Sequence, residues 1–489
     1  MEYLLGIDAG GTRTKAALFD RRGRLIASVG RDTPLTITPE GWQERDMDQL
    51  WRLTADAVRS LMGQSGVPPE AVAGVGCCGH GKGLYLWGKD GRPAGPAIAS
   101  TDRRAAPLAA RWRADGTAAR AAVRTLQPVT ESQPAALLAW LKERRPQAYE
   151  NIRWVLGAKD YLRFRLTGEA LAERTDASGS SLLDLEEGRF SPKLLDLFGI
   201  PEMAACLPPL VSSAQPCGRV TVRAAEETGL RPGTPVCGGM FDIDACALAA
   251  GLTDGDSLCV IAGTWGINEY IGRRPAAGLS TTRNSLYCLP GWYLIEESSP
   301  ASAGNLEWVR RLLPPEHRDY PAINRLVDSV RPEDCPVIFA PYLYGSNVEG
   351  CGCGFFYGLD NSHTAAHLLR AVFEGVAFTH RIHVERLLRL RPPPRSVRLS
   401  GGAAASPVWA QLFADCLGLP VEAAPAGEPG ALGAAMAAAA TAGLYPDCAR
   451  AAEAMAPERR LLLPRADRQA VYEEKYRRHL RLLRAARNI

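Results

Sequence analysis

The chain has 489 residues, more than a single hydrophobic core usually organises, so two domains are the starting expectation. Apolar residues make up 46% and charged residues 22%, the profile of a soluble globular protein, and a net charge of +4 from 57 basic and 53 acidic residues is too balanced to suggest a nucleic-acid or membrane-surface protein. The 13 cysteines are scattered without a CxxC pair, which argues against a disulfide framework and for reduced, mostly buried thiols.

The first residues, Met1-Glu2-Tyr3-Leu4-Leu5-Gly6-Ile7-Asp8, run straight into a strand pattern with no basic n-region, long apolar stretch or cleavage site. The longest apolar run, 431–442, is rich in alanine and glycine and falls short of the about 20 residues a bilayer needs. The expectation is therefore cytoplasmic, with no membrane partner. Short apolar strands are predicted at 3–7, 73–78, 154–156, 257–261, 337–340 and 397–400, alternating with helical patterns that include 48–62, 366–390 and 469–487. Such alternation predicts an α/β architecture. Pro392-Pro393-Pro394 ends the helix after 390, because proline lacks the amide hydrogen and clashes with the preceding turn.

One internal echo organises the chain. Residues 4–20 read as a strand, a tight turn Gly10-Gly11-Thr12 and a second strand, and residues 257–270 repeat the plan around Gly263-Thr264. Two domains that each present a hairpin turn to a shared cleft follow from this, 1–245 and 246–489. In a glycine hairpin the backbone amides converge on an anion and the threonine hydroxyl adds a donor, so two such turns can clamp a polyphosphate. Asp8, at the end of the first strand, is placed to hold Mg²⁺ against phosphate oxygens.

A third turn, Ser400-Gly401-Gly402-Ala403, follows a strand and offers exposed backbone for an adenosine; Ser406 with Pro407 also reads as an ordinary helix start. Phosphoryl transfer to a hydroxyl needs a carboxylate beside it, and Gly238-Gly239-Met240-Phe241-Asp242-Ile243-Asp244 supplies Asp242 and Asp244 at a strand-to-helix junction, where a helix cap is the plainer reading of either. Cys77-Cys78 and Cys351-Gly-Cys353 have no matching second pair for zinc, and His363 with His367 lack the glutamate of a zinc helix; both sets read as structural.

Taken together, these segments resemble the FGGY family of carbohydrate kinases, with its actin-like, ribonuclease-H-like ATPase fold. The likeness rests on Gly6-Ile7-Asp8-Ala9-Gly10-Gly11-Thr12, Gly41-Trp42-Gln43-Glu44-Arg45-Asp46, Lys159-Asp160-Tyr161-Leu162-Arg163, the segment around Asp242, Gly263-Thr264 and Gly401-Gly402-Ala403. The resemblance implies ATP and Mg²⁺ as cofactors, Asp242 as the base, Gly10, Gly11 and Thr12 on the first phosphate loop and Gly263 and Thr264 on the second. Gly401, Gly402 and Ala403 would line the adenosine. Trp265 stands where many relatives have serine, which removes one hydroxyl contact.

Within the family the segments Gly81-Lys82-Gly83-Leu84 and Ser100-Thr101-Asp102-Arg103-Arg104 are similar to the branch acting on ketoses such as L-xylulose and 3-keto-L-gulonate. His80-Gly81-Lys82-Gly83 departs from the Gln-Met-His-Gly of D-xylulose kinases. His80, Lys82, Asp102 and Arg104 are then the substrate contacts, although Lys82 reads equally well as a surface turn lysine. The resemblance also leaves a homodimer as an expectation. Competing readings are a kinase for D-xylulose, ribulose, erythritol, glycerol or gluconate, and a sugar sensor without activity; a DNA-binding regulator would need a helix-turn-helix for which the N-terminus leaves no room.

Overall fold

The computed structural model describes residues 2–263, 265–276, 281–348, 352–424 and 427–486. Thr264 and Cys351 therefore lie outside the described residues. The chain divides into two compact units: one of Met1–Thr253, Gly272–Ile295 and Gly427–Ala456, and one of Asp254–Ile271, Glu296–Ala426 and Pro457–Ile489. Two segments beyond the expected boundary at 245 thus pack with the first unit, because a sheet face formed early in the chain is covered by a helix formed late.

In the first unit the strand Tyr3–Ala9 lies at the centre of the sheet. It pairs antiparallel with Arg13–Asp20 in the register Ala9↔Thr14 and Asp8↔Lys15, and parallel with Val72–Gly79 in the register Asp8↔Cys78. Arg13–Asp20 pairs in turn with Leu25–Asp32, and Val72–Gly79 carries Pro235–Cys237 and Met240–Phe241 as parallel neighbours. Antiparallel strands on one side of the first strand and parallel ones on the other are the ribonuclease-H-like plan.

One face of this sheet packs on helix Met47–Ser65, whose N-cap Asp46 accepts the Gln49 amide and which ends at the left-handed Gly66. The other face receives the alanine-rich helix Pro429–Thr441. Glycine on the strands makes that approach feasible: a Cβ at Gly6 would stand 1.9 Å from the Ala431 carbonyl oxygen, and one at Gly76 2.0 Å from that of Ala434. The 431–442 run is therefore a close-packed core helix. A second apolar core in this unit gathers helices Ala106–Ala114 and Pro134–Arg144 around Leu84 and Ile98.

The second unit repeats the plan. Ser257–Ala262 pairs antiparallel with Gly266–Gly272 and parallel with Ser396–Gly401, which is followed by Val421–Ala423 and then antiparallel Arg460–Leu462. Its turn is one residue shorter: three residues separate the paired Ala262 and Gly266, against four between Ala9 and Thr14. The long helix Ala365–Leu388 opens with a capping box in which His367 serves as the N3 partner of Thr364. His363 is paired with Asp360 at 3.2 Å, so both histidines have structural partners. On the terminal helix Ala466–Ala485, Arg477 pairs with Glu473 and Arg481 with Glu474. No helix among the described residues is long and apolar enough to cross a membrane.

Candidate active site

Parallel strands deliver their carboxyl ends to one edge of the sheet, where loops are free to carry chemistry. In the first unit that edge holds Asp8 at the end of the first strand, Gly79-His80 at the end of Val72–Gly79, and Asp242 directly after Met240–Phe241. Asp8 and Met240 both register against Cys78, one on each side. At about 4.8 Å per strand, two strand spacings separate the backbones that carry the two carboxylates.

Asp8 is half-buried, and loss of hydration pushes its carboxyl up to about 6, against the pull of Lys15 and a hydrogen bond from Cys78. Lys15 is itself held by Glu428 at 2.9 Å. The first turn of the alanine helix stands directly against Asp8, since a Cβ at Gly430 would lie 2.8 Å from its Oδ2. The Gly10-Gly11-Thr12 turn is exposed at Gly11 and Thr12 and fixed from behind: the buried Arg45 donates to the Gly11 carbonyl and, at 3.2 Å, to the Tyr85 hydroxyl, while the Thr33 amide donates to the Thr12 carbonyl at 2.8 Å. Carbonyls tied back in this way leave the outer edge of the turn for an anion.

Tyr85 continues to His80, whose Nε2 lies 3.0 Å from the phenol oxygen. Burial drops the His80 imidazole to about 4, with Arg45 adding to the effect. It is neutral at physiological pH, and because the Tyr85 oxygen already accepts from Arg45, its O–H is available to donate to Nε2. Lys82 has φ +62°, a left-handed conformation between two glycines. Non-glycine residues are held there only when the surroundings impose it, and such residues cluster at functional sites. Gly81 packs against Phe241, whose ring carbon Cε2 would lie 2.8 Å from a Cβ at 81. The Gly81-Lys82-Gly83 turn and the Asp242 junction are therefore neighbours.

Asp102 is differently placed. Its carboxylate is fully buried and accepts from the Gln43 amide at 2.7 Å, the Arg104 amide at 2.8 Å and the Arg104 guanidinium at 2.9 and 3.1 Å. Arg104 is also bound to Glu44 at 3.0 Å and lies over the rings of Trp42 and Trp140. This pair braces the loop next to the Gly83 turn, where a Cβ would meet the Ile98 carbonyl at 2.5 Å.

At the junction, Asp242 is the first residue of helix Asp242–Ala249 and Phe241 is the N-cap, so neither aspartate caps the helix. The two carboxylates differ in setting. Asp244 is wholly buried and accepts the Cys288 amide at 3.1 Å, whereas Asp242 is partly exposed at the strand edge. Below this edge lies a cluster of buried charges that sequence reasoning left without a role. Lys159 contacts Asp160 at 2.8 Å, Glu173 at 3.4 Å and Asp176 at 3.6 Å, and Arg163 contacts Asp160 at 3.0 Å. Burial alone would lower the Lys159 ammonium, but the three carboxylates hold it above its ordinary value; burial raises Asp176 to about 7 despite Lys159. The Lys159-Asp160 motif carried the signal, yet charged residues are so rarely buried that no pattern rule assigns them to a core.

In the second unit Gly401 ends its strand in register with Ala262, which brings the Gly401-Gly402-Ala403 turn beside Gly263. Gly401 has φ +84°, and a Cβ there would stand 2.6 Å from the Ala262 carbonyl oxygen, so only glycine fits. Ser406 caps the next helix, accepting the Trp409 amide at 3.1 Å, with Pro407 at its first position. Gly263 donates its amide to the Trp265 carbonyl at 3.2 Å, and the Trp265 side chain is 50% exposed. No group of three or more His, Cys, Asp and Glu suited to a metal occurs among the described residues.

Residues 3–249 match the N-terminal domain, and residues 258–442 the C-terminal domain, of the FGGY family of carbohydrate kinases. The L-xylulose/3-keto-L-gulonate kinase of Escherichia coli (strain K12) is 39% identical over 486 residues, 99% of this chain and 97% of that one. The xylulose kinase of Bacillus subtilis (strain 168) is 26% identical over 477 residues, 97% and 95%. Among solved structures, xylulose kinase from Rhodospirillum rubrum shares the fold with a TM-score of 0.86 at 28% identity, covering 98% of both chains.

Proposed function

The chain belongs to the FGGY family of carbohydrate kinases and is an ATP-dependent sugar kinase, and from that premise we propose that it phosphorylates a small ketose of the L-xylulose or 3-keto-L-gulonate kind with Asp242 as the base. The contrast between Asp242 and Asp244 carries the assignment: the first is partly exposed at the strand edge beside the substrate turn, and the second is buried against the Cys288 amide. The substrate reading is supported by 39% identity to a kinase of that name against 26% to a xylulose kinase, each over nearly the whole chain. A cation at Lys82, held in a left-handed turn, suits an acidic or carbonyl-bearing acceptor.

In this reading His80, Lys82, Asp102 and Arg104 bind the ketose, and the Asp102–Arg104 pair also shapes the loop around it. Asp242 orients the attacking hydroxyl and takes its proton as the γ-phosphoryl group transfers. Gly10, Gly11 and Thr12 hold phosphate oxygens in the first unit. In the second, Gly263 and Thr264 do the same and Gly401, Gly402 and Ala403 line the adenosine. Asp8 fits Mg²⁺ by the chemistry of its donor, a hard carboxylate oxygen at the phosphate-facing strand end, and the ion when bound would neutralise charge on the phosphate.

The test is ADP release with MgATP and a panel of L-xylulose, 3-keto-L-gulonate, D-xylulose, L- and D-ribulose, erythritol, glycerol and gluconate. Turnover is expected with L-xylulose or 3-keto-L-gulonate, and preference for another acceptor overturns the substrate assignment. Asp242→Asn is expected to fold, to bind ATP and to lose on the order of 10³-fold in kcat. Near-normal turnover in that variant would assign the base elsewhere.

A further inference from the structure

The buried charges beneath the strand edge reach the backbone that carries Asp242. The Phe241 amide, one residue before Asp242, donates to Thr175 Oγ1 at 2.8 Å. That hydroxyl donates in turn to Glu173 Oε2 at 2.7 Å. Glu173 is fixed from three further sides: its Oε1 accepts the Thr175 amide at 3.1 Å and Ser213 Oγ at 2.9 Å, and Lys159 Nζ stands 3.4 Å from Oε2. Thr175, Glu173 and Lys159 are all buried. A second anchor holds the same segment upstream, where Arg163 Nη1 donates to the Gly238 carbonyl.

A hydroxyl is the smallest group that accepts from one partner while donating to another. The Glu173 Oε2 acceptor draws the Thr175 hydrogen toward itself and so aims an oxygen lone pair at the Phe241 amide. This amide stands at the N-cap of the Asp242 helix, a position where no side chain of the helix itself satisfies it. Thr175 performs from outside what the N3 side chain of a capping box performs from within. On the far side, the Phe241 ring packs on Gly81 of the substrate turn, so the same backbone is gripped between the charge cluster and the substrate loop.

We propose that Thr175, oriented by Glu173, is a positioning residue for phosphoryl transfer: it fixes the Phe241 backbone and through it the Asp242 carboxylate relative to the acceptor hydroxyl. The proposal rests on Asp242 being the base. Displacements of about 1 Å in reacting geometry cost on the order of 10²-fold in rate, while ground-state binding by other residues is unaffected. The signature is therefore a loss in kcat rather than in KM.

Thr175→Ser, which keeps the hydroxyl, is expected to stay within about 3-fold of the parent in kcat, whereas Thr175→Val, isosteric but without it, falls on the order of 10²-fold with KM for ketose and ATP nearly unchanged. In the Asp242→Asn background the Thr175→Val change is expected to add little, because the group it positions has gone. If Thr175→Val does not fold, Thr175→Ala carries the same expectations. Unchanged kcat with a lowered melting temperature, a rise confined to KM, or an undiminished loss in the Asp242→Asn background would each overturn the positioning role while leaving the base assignment intact. Parent-level turnover in Asp242→Asn alone overturns the base assignment and the proposal with it.

Discussion

Lys82 shows at the scale of one residue how function and stability pull apart. A left-handed conformation at a residue with a Cβ costs about 1 kcal/mol, and glycine would relieve it. Lys82→Gly should therefore be about 1 kcal/mol more stable than Lys82→Ala in denaturant unfolding, a comparison in which the lost ammonium cancels. Both variants should lose activity, and with an acidic acceptor the loss should fall mainly on KM. His80 is the complementary case. Its imidazole, lowered to about 4 by burial, has no charge to offer a substrate near neutrality, so its part is hydrogen bonding through Tyr85 and the Arg45 brace of the Gly10-Gly11-Thr12 turn.

Close approach governs the elements. The helix Pro429–Thr441 lies against strands whose glycines leave room for its carbonyls, and a methyl at Gly76 would stand 2.0 Å from the Ala434 oxygen. Gly76→Ala should cost about 3 kcal/mol and loosen the helix whose first turn faces Asp8, so stability measured by urea unfolding and activity should fall together. The terminal helix makes a pH-dependent contribution. His479 is buried beside Phe378, with neither ring nitrogen hydrogen-bonded, and burial lowers it to about 4. Its folded-state value lies below the unfolded 6.5, so the unfolded chain binds the extra proton and stability falls as pH drops from 6.5 towards 4, by up to about 1.4 kcal/mol per pH unit. His479→Phe should flatten this slope by about one proton in the pH dependence of unfolding.

For the whole molecule, the covering of the first sheet by a late segment makes folding non-local. A fragment ending at residue 253 lacks Gly272–Ile295 and Gly427–Ala456 and leaves one face of the sheet bare. It should lack a cooperative unfolding transition and be cut rapidly in limited proteolysis, whereas the full chain resists. The apolar face exposed by that truncation, including Leu4 and the glycine rows, loses the helix that packs most closely on it.

Much of this was legible in the residue order. The strand patterns at 3–7, 73–78, 257–261 and 397–400 correspond to Tyr3–Ala9, Val72–Gly79, Ser257–Ala262 and Ser396–Gly401, because strand runs and glycine turns are local signals. The family was legible for the same reason, its motifs being short and contiguous. What a local pattern does not contain is which distant groups share a buried space. The strand-to-helix junction by itself offered Asp242 and Asp244 alike and only the resemblance favoured Asp242; pairing of Asp244 with the Cys288 amide, 44 residues on, gives the two carboxylates different settings. Sequence reasoning read Asp102 and Arg104 as sugar contacts but could not show that the two are also bound to each other and to the Gln43 amide, 59 residues away. Lys159, Glu173 and Thr175 became a scaffold for Phe241 only through the tertiary structure, because mutual compensation is what allows charges to be buried, and compensation is a property of neighbours in space.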